Sequence, residues 1–155
     1  MGDAQKLGLD DIVEILKAAG EPTRLRLLAL LSHGDLTVTD LTDILGQSQP
    51  RISRHLKLLA EAGLVDRYQE GAWAFFRLSQ GGAAVALARR LLETADEADA
   101  VLARDDERLR VLKKVRADKA QAYFSRNAAD WDAMRRLHVS DAEVEAKLAA
   151  MIGTE

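Results

Sequence analysis

Cysteine is absent from this chain of 155 residues, which excludes a disulfide framework and the zinc knuckles and ribbons built on thiolates. Any metal site is left with carboxylates and three scattered histidines, His33, His55 and His138, no two of them at ligand spacing. No metal site is therefore expected. Long apolar runs are also missing, and none approaches the roughly 20 residues needed to span a bilayer. The start, Met1 to Asp11, lacks the basic then apolar layout of a signal peptide. A cytoplasmic protein with no membrane partner is expected. No grouping of serine, histidine and acid, no metal triad and no phosphate loop occurs at a usable spacing, so neither catalytic residues nor a cofactor is expected. The net charge of −3 argues against indiscriminate nucleic-acid binding and directs attention to local charge.

Proline is nearly absent as well. Pro22 and Pro50 each precede a run with helical apolar spacing, where a first-turn proline loses no intrahelical bond, so both mark helix starts. Ahead of Pro22, Ile12, Ile15 and Leu16 predict a helix from Asp10, its N-cap, to Ala19, stopped by Gly20. From Pro22, Leu25, Leu28, Ala29 and Ser32 form a stripe widened by Leu27, Leu30 and Leu31. Thr37 and Asp40 have capping-box spacing before Leu41, Ile44 and Leu45, which predicts a short third helix ending at Gly46. After a turn at Gln47 and Ser48, Ile52, Leu56 and Leu59 predict a fourth helix from about Gln49 to Gly63.

A short helix, a tight turn and a second helix make a helix-turn-helix candidate. Two runs then follow, Leu64–Gln69 and Ala72–Leu78, separated by Glu70 and Gly71, the pattern of a β-hairpin. From Ala83 the helical period returns for a long stretch, interrupted by charges at Arg104–Arg108, and predicts one long helix, kinked or broken there. The end, with Ser140 and Glu143 as a capping box, predicts two or three short helices. This order is a winged helix. The fold expected is mainly α with a small β-hairpin wing, a long dimerisation helix and a C-terminal helical extension.

The fourth helix carries the chemistry. At 100° per residue, Ile52, Leu56 and Leu59 fall in one narrow arc, and Pro50, Arg54 and Lys57 lie opposite, flanked by Arg51 and Ser53. Arginine can bond guanine edges in bidentate fashion, Gln49 can pair with adenine, and Ser48 or Ser53 can bond phosphate beside the positive helix N-terminus. From Gln47 to Gln80 five cations face three anions, a local charge of +2 inside an acidic chain. The alternative is a plainly solvated helix face. Arg67, Gln69 and Arg77 are candidate phosphate contacts on the wing, and His55 has either a structural or a phosphate-contact role. Trp73 and Phe75 alternate with Ala74 and Phe76, and one face of the hairpin is expected to close the core over the fourth helix.

The run SQPRISRHLKLLAEAGLVDRYQEGAWAFFRLS, from Ser48 to Ser79, together with GEPTRLRLLALL, from Gly20 to Leu31, resembles the arsenic-repressor (ArsR/SmtB) family of winged-helix transcriptional regulators. The resemblance covers roughly residues 8–103, which it makes a DNA-binding and dimerisation domain, with 104–155 as the extension. It implies a homodimer that holds a palindromic double-stranded operator and is released from it by an effector. Its interface would be built from the first and fifth helices, here through Ile12, Ile15, Leu91, Leu92, Ala95, Ala98 and Leu102. The chain departs from the family's metal sensors, with Thr37 and Thr39 near where the cysteine pair would stand and no histidine beside Asp96, Asp99, Asp105 or Asp106.

The segment AYFSRNAADWDAMRRLHVSDAEVEAKLAAMIG, from Ala122 to Gly153, is similar to the leader of class I S-adenosylmethionine-dependent methyltransferase domains fused to such repressors. No strand followed by a glycine-rich nucleotide loop accompanies it, and Gly81-Gly82 lacks that context. This resemblance makes S-adenosylmethionine or S-adenosylhomocysteine the first effector candidates, with Tyr123, Phe124, Trp131 and Met134 as the apolar residues to receive them; a plain helical core or a docking surface is the alternative. Two functions stay open: a homodimeric repressor, and the DNA-binding fragment of a regulator fused to a methyltransferase. A winged-helix protein-interaction module is disfavoured by Arg51, Arg54 and Lys57 projecting together.

Overall fold

The computed structural model describes residues 6–138, the last ten as backbone only. Two compact units divide at Leu112 and Lys113. Residues from Arg104 to Leu112, assigned from the sequence to the extension, fall within the first unit.

That unit begins with α1 (Leu9–Ala19) and α2 (Pro22–Leu31). Gly8, not Asp10, occupies the N-cap of α1. The Glu21 carboxylate caps α2 by accepting from the Arg24 backbone N–H at 2.9 Å, with Pro22 in the first turn as its missing N–H requires. Leu27, Leu28 and Leu30 are fully buried, whereas Leu25, placed on the core stripe from the sequence, is 40% exposed. The apolar face of α2 turned toward the core is centred on Leu27 and Leu31.

A two-residue strand, β1 (Leu36–Thr37), leads into α3 (Val38–Leu45). The expected capping box is present and buried: Asp40 N–H donates to Thr37 Oγ1 at 3.1 Å, and Thr37 N–H donates to Asp40 Oδ2 at 2.9 Å. Gly46 ends α3 in the left-handed conformation, φ +68°, which only glycine adopts without strain. The chain thereby turns into α4 (Gln49–Glu61), whose Ile52, Leu56 and Leu59 are fully buried.

The hairpin follows as β2 (Val65–Glu70) and β3 (Trp73–Leu78), with Gly71 and Ala72 at its tip. The turn lies one residue later than the sequence pattern indicated, because Gly71 supplies the positive φ, +62°, at its first central position. β1 pairs with the far edge of β3, giving an antiparallel sheet in the order β1-β3-β2. β1 is too short to register in a periodicity search.

The long helix is two helices. α5 (Ala83–Glu93) ends eleven residues before the Arg104–Arg108 cluster, and α6 starts at Ala100 and runs to His138 through that cluster without interruption. Aspartates set the break. Asp96 Oδ1 accepts from Ala98 N–H at 2.9 Å, and Asp99 Oδ1 accepts from Val101 and Leu102 N–H at 3.0 and 3.1 Å, acting as the N-cap of α6. The short helices expected for the tail are, up to His138, one continuous α6; Ser140, Glu143 and the positions after them lie outside the described residues.

The buried Leu109 and several polar contacts attach the start of α6 to the rest of its unit, an exposed one between His33 Nε2 and Asp106 Oδ1 at 3.7 Å among them. Arg26 on α2 donates in bidentate fashion to Asp105, at 2.8 and 2.9 Å, in a largely buried ion pair. Arg108 Nη1 donates to the Ile44 carbonyl near the end of α3 at 2.8 Å.

Candidate nucleic-acid interface

The recognition-type surface rests on the two-sidedness of α4. Its inner residues are buried against α2 and α3, which turns Ser48, Gln49, Pro50, Arg51, Ser53, Arg54 and Lys57 to solvent. Ser48 is the N-cap, its Oγ accepting from Arg51 N–H at 3.4 Å, so the hydroxyl and the positive helix end share one place. Arg51 Nε donates to Gln47 Oε1 at 2.8 Å, and Gln47 Nε2 donates to Thr23 Oγ1 at 3.1 Å. Gln47 was assigned only to the turn, yet it fixes the Arg51 guanidinium; its i, i+4 spacing from Arg51 was the available signal. Arg54 and Lys57 have no ion-pair partner among the described residues.

His55 is set apart from this surface. Its side chain is 11% exposed and turned toward α2, where Nδ1 lies 3.2 Å from Arg24 Nη1 and Nε2 lies 3.9 Å from Glu21 Oε2. Burial pushes its pKa below the usual histidine value; the Glu21 carboxylate opposes this, and Arg24, Arg51 and Arg54 add to it. A neutral ring accepting at Nδ1 from Arg24 fits that direction.

On the wing, Arg67 and Gln69 are exposed and joined by a long bond of 3.5 Å from Arg67 Nη2 to Gln69 Oε1. Arg77 is held back. Its guanidinium lies 4.7 Å over the Tyr68 ring, and its Nε is buried without a hydrogen-bond partner among the described residues. Tyr68 is itself stacked on Phe75, with centroids 5.4 Å apart, and donates its hydroxyl to Asp35. The hairpin face that closes the core is carried by Phe76 and Leu78, while Trp73 is 59% exposed.

The residues expected at a dimer interface are scattered. Ile15 is 3% exposed and belongs to the core of its own chain, because it lies on the side of α1 that packs on the chain's other helices. Leu9, Ile12, Val13 and Leu16 form the exposed apolar row of α1 instead. Leu91 and Leu92 pack partly against the core, Ala95 and Ala98 lie exposed in the segment between α5 and α6, and Leu102 is half-buried on α6. They therefore do not share one helix. Of the aromatics near the end, Tyr123 and Phe124 are 60% and 71% exposed and meet edge to face, 6.1 Å apart, while the side chains of Trp131 and Met134 lie outside the described residues. Among the described residues no three of His, Asp or Glu gather to hold a metal ion.

Residues 21–67, from the α2 cap to the middle of β2, match the family model described as bacterial regulatory protein, arsR family. The chain is 47% identical over 68 residues to the arsenical resistance operon repressor of Escherichia coli, covering 43% of this chain and 58% of that protein. It is 47% identical over 64 residues to an HTH-type transcriptional regulator of Methanocaldococcus jannaschii, covering 41% of this chain and 72% of the relative. The match thus spans under two thirds of the first relative and over two thirds of the second. The solution structure of a homodimeric winged helix-turn-helix DNA-binding domain from Mycobacterium bovis superposes with a TM-score of 0.52 at 29% identity, over 57% of this chain and 82% of that one. With the helix-turn-helix and wing in place and 47% identity over 72% of a relative's length, the chain belongs to the arsR family of bacterial regulatory proteins.

Proposed function

We propose that the chain is a cytoplasmic transcriptional repressor that binds a double-stranded operator as a homodimer and leaves it when an effector binds. One observation carries this reading: α4 buries Ile52, Leu56 and Leu59 completely and presents Arg54 and Lys57 outward, free of ion pairs among the described residues, beside a capped helix N-terminus. Such a helix enters a major groove with its first turns against base edges. Two copies related by a twofold axis would read half-sites about one helical turn, ~34 Å, apart. The homodimeric M. bovis domain supports the twofold arrangement, and the exposed row of Leu9, Ile12, Val13 and Leu16 supplies an apolar surface for it. S-adenosylmethionine and S-adenosylhomocysteine are the effectors to try first, because the sequence from Ala122 resembles a methyltransferase leader.

The test is selection of bound duplexes from a random pool, followed by Arg54→Ala. Loss of roughly 1–3 kcal/mol on the selected operator, with relaxed preference at one base pair, is expected if the guanidinium reads a base edge. Unchanged affinity removes Arg54 from the interface, and failure of the parent chain to enrich any sequence removes the reading itself.

A further inference from the structure

Trp73 is the aromatic residue of the hairpin that the fold leaves unused. Phe76 is 8% exposed in the core, and Phe75 and Tyr68 stack on one another with Arg77 over the tyrosine ring. Trp73, across the sheet from Glu70 at the first position of β3, is 59% exposed and makes no ring contact among the described residues. An indole carries one of the largest apolar surfaces of any side chain, and here that surface is open to a partner. A contact with a partner gives that exposure a reason.

Its surroundings say which partner fits. Trp73 borders a cleft of about 500 Å3 between the start of α3, the outer side of α4 and the wing. Thr39, Gln49, Ser53, Lys57 and Arg67 also line it, and the lining contains no aspartate or glutamate. Two cations, three exposed neutral hydrogen-bonding side chains and one exposed aromatic, over a floor that includes Leu56 and Phe76, match a chain of phosphates joined by deoxyribose. Lys57 stands three residues beyond Arg54, a rise of about 4.5 Å along the helix. A phosphate strand bounding the groove that α4 enters would therefore pass into this cleft. We propose that the cleft seats one strand of the DNA backbone, with a phosphate between Lys57 and Arg67 and a sugar packed on Trp73. This rests on the DNA-binding reading above and adds to it, through the indole, a sequence-independent contact to a sugar. It also makes the indole, rather than Arg77, the principal wing contact besides Arg67.

The experiment compares the full chain with Trp73→Ala, Trp73→Phe and Lys57→Met on the selected operator and on a duplex of random sequence, across a salt series. Hydroxyl-radical footprinting reads the sugars directly. Trp73→Ala is expected to weaken both duplexes about tenfold without changing the salt slope, since it removes stacking and no charge. It should also expose sugars that the parent protects. Trp73→Phe should keep binding within about threefold, because it keeps an aromatic face. Lys57→Met should lower the salt slope by about one unit. Melting temperatures equal to the parent's establish that the variants are folded.

If Trp73→Ala binds both duplexes as the parent does, with the same footprint, the proposal fails while the DNA-binding reading stands. If Trp73→Ala weakens the operator alone, the indole reads bases and the sequence-independent contact is overturned. A parent chain that binds neither duplex overturns both.

Discussion

α4 and α6 are both helices with apolar residues at helical spacing, and they are held by different means. α4 spans 13 residues, and its three inner side chains are 0% exposed. α6 spans 39 residues, but among the described side chains its buried ones are Asp105 and Leu109, and every position from Lys113 to Arg126 is exposed. Periodicity alone does not distinguish the two. What distinguishes them is whether other elements of the chain lie against the stripe: α2, α3 and β2 converge on α4, whereas, among the described residues, α6 is attached at its beginning by a largely buried ion pair, an exposed His33–Asp106 contact, a leucine and one arginine-to-carbonyl bond. On the function proposed for α4 the same division follows, since a base-reading helix must hold its register to a fraction of an ångström and needs a rigid seat.

The sharpest way to break this comparison is to cut an apolar side chain from each helix. Leu56→Ala, fully buried in α4, is expected to cost about 3–4 kcal/mol, the loss of transfer free energy plus a cavity. Phe124→Ala, 71% exposed on α6, should change stability by less than about 0.5 kcal/mol. Urea unfolding of the two variants measures both. Equal losses would mean that α6 buries its aromatic face against a partner in solution, and the contrast drawn from the single chain would be withdrawn.

The attachment of α6 ranks next. Asp105→Asn leaves the Arg26 guanidinium largely buried without its counter-charge, and breaking such a pair from one side is costly. One amide oxygen remains to accept a bond, so a loss of about 2–3 kcal/mol is expected, at the low end for such pairs. The double variant Asp105→Leu with Arg26→Met should recover much of it, because the penalty is that of an unpaired charge. Denaturation midpoints test this, and a double variant no more stable than the single one would show that the bidentate geometry itself holds α6.

The parts of the fold visible in the sequence are those fixed by local rules. Pro22 and Pro50 stand in the first turns of α2 and α4, the Thr37–Asp40 box opens α3, and Gly46 closes it, because each is decided by the hydrogen bonds of a few neighbouring residues. The outward set on α4 was equally visible, since three fully buried positions fix the rotation of the helix. The break between α5 and α6 was hidden. Apolar residues keep helical spacing through Leu92, Ala95, Ala98 and Leu102, and the decision belongs to Asp96 and Asp99, whose carboxylates bond backbone N–H groups that a continuous helix would have used. Ile15, Leu25, His55 and Trp73 were misplaced or left ambiguous for one shared reason: which face of an element meets its neighbour depends on packing between distant segments. The Arg26–Asp105 pair joins positions 79 residues apart and leaves no local trace.

The smallest expected effect concerns the one titratable group on the inner side of α4. Burial lowers the pKa of His55; Glu21 works against this, and Arg24, Arg51 and Arg54 reinforce it. The folded chain therefore takes up this proton at a lower pH than the unfolded chain. Between the ordinary histidine value and the lowered one, the unfolded state binds more protons, so stability falls as the pH drops through that window and is at its full value above it. His55→Gln removes the difference, and its unfolding free energy should decline less than the parent's between pH 7.5 and pH 5.5, by under about 1 kcal/mol. The other two histidines are common to both proteins and cancel. Urea titrations at three pH values across this range provide the comparison, and parallel pH profiles would place His55 in open solvent, uncoupled by charge from the neighbours on the inner side of α4.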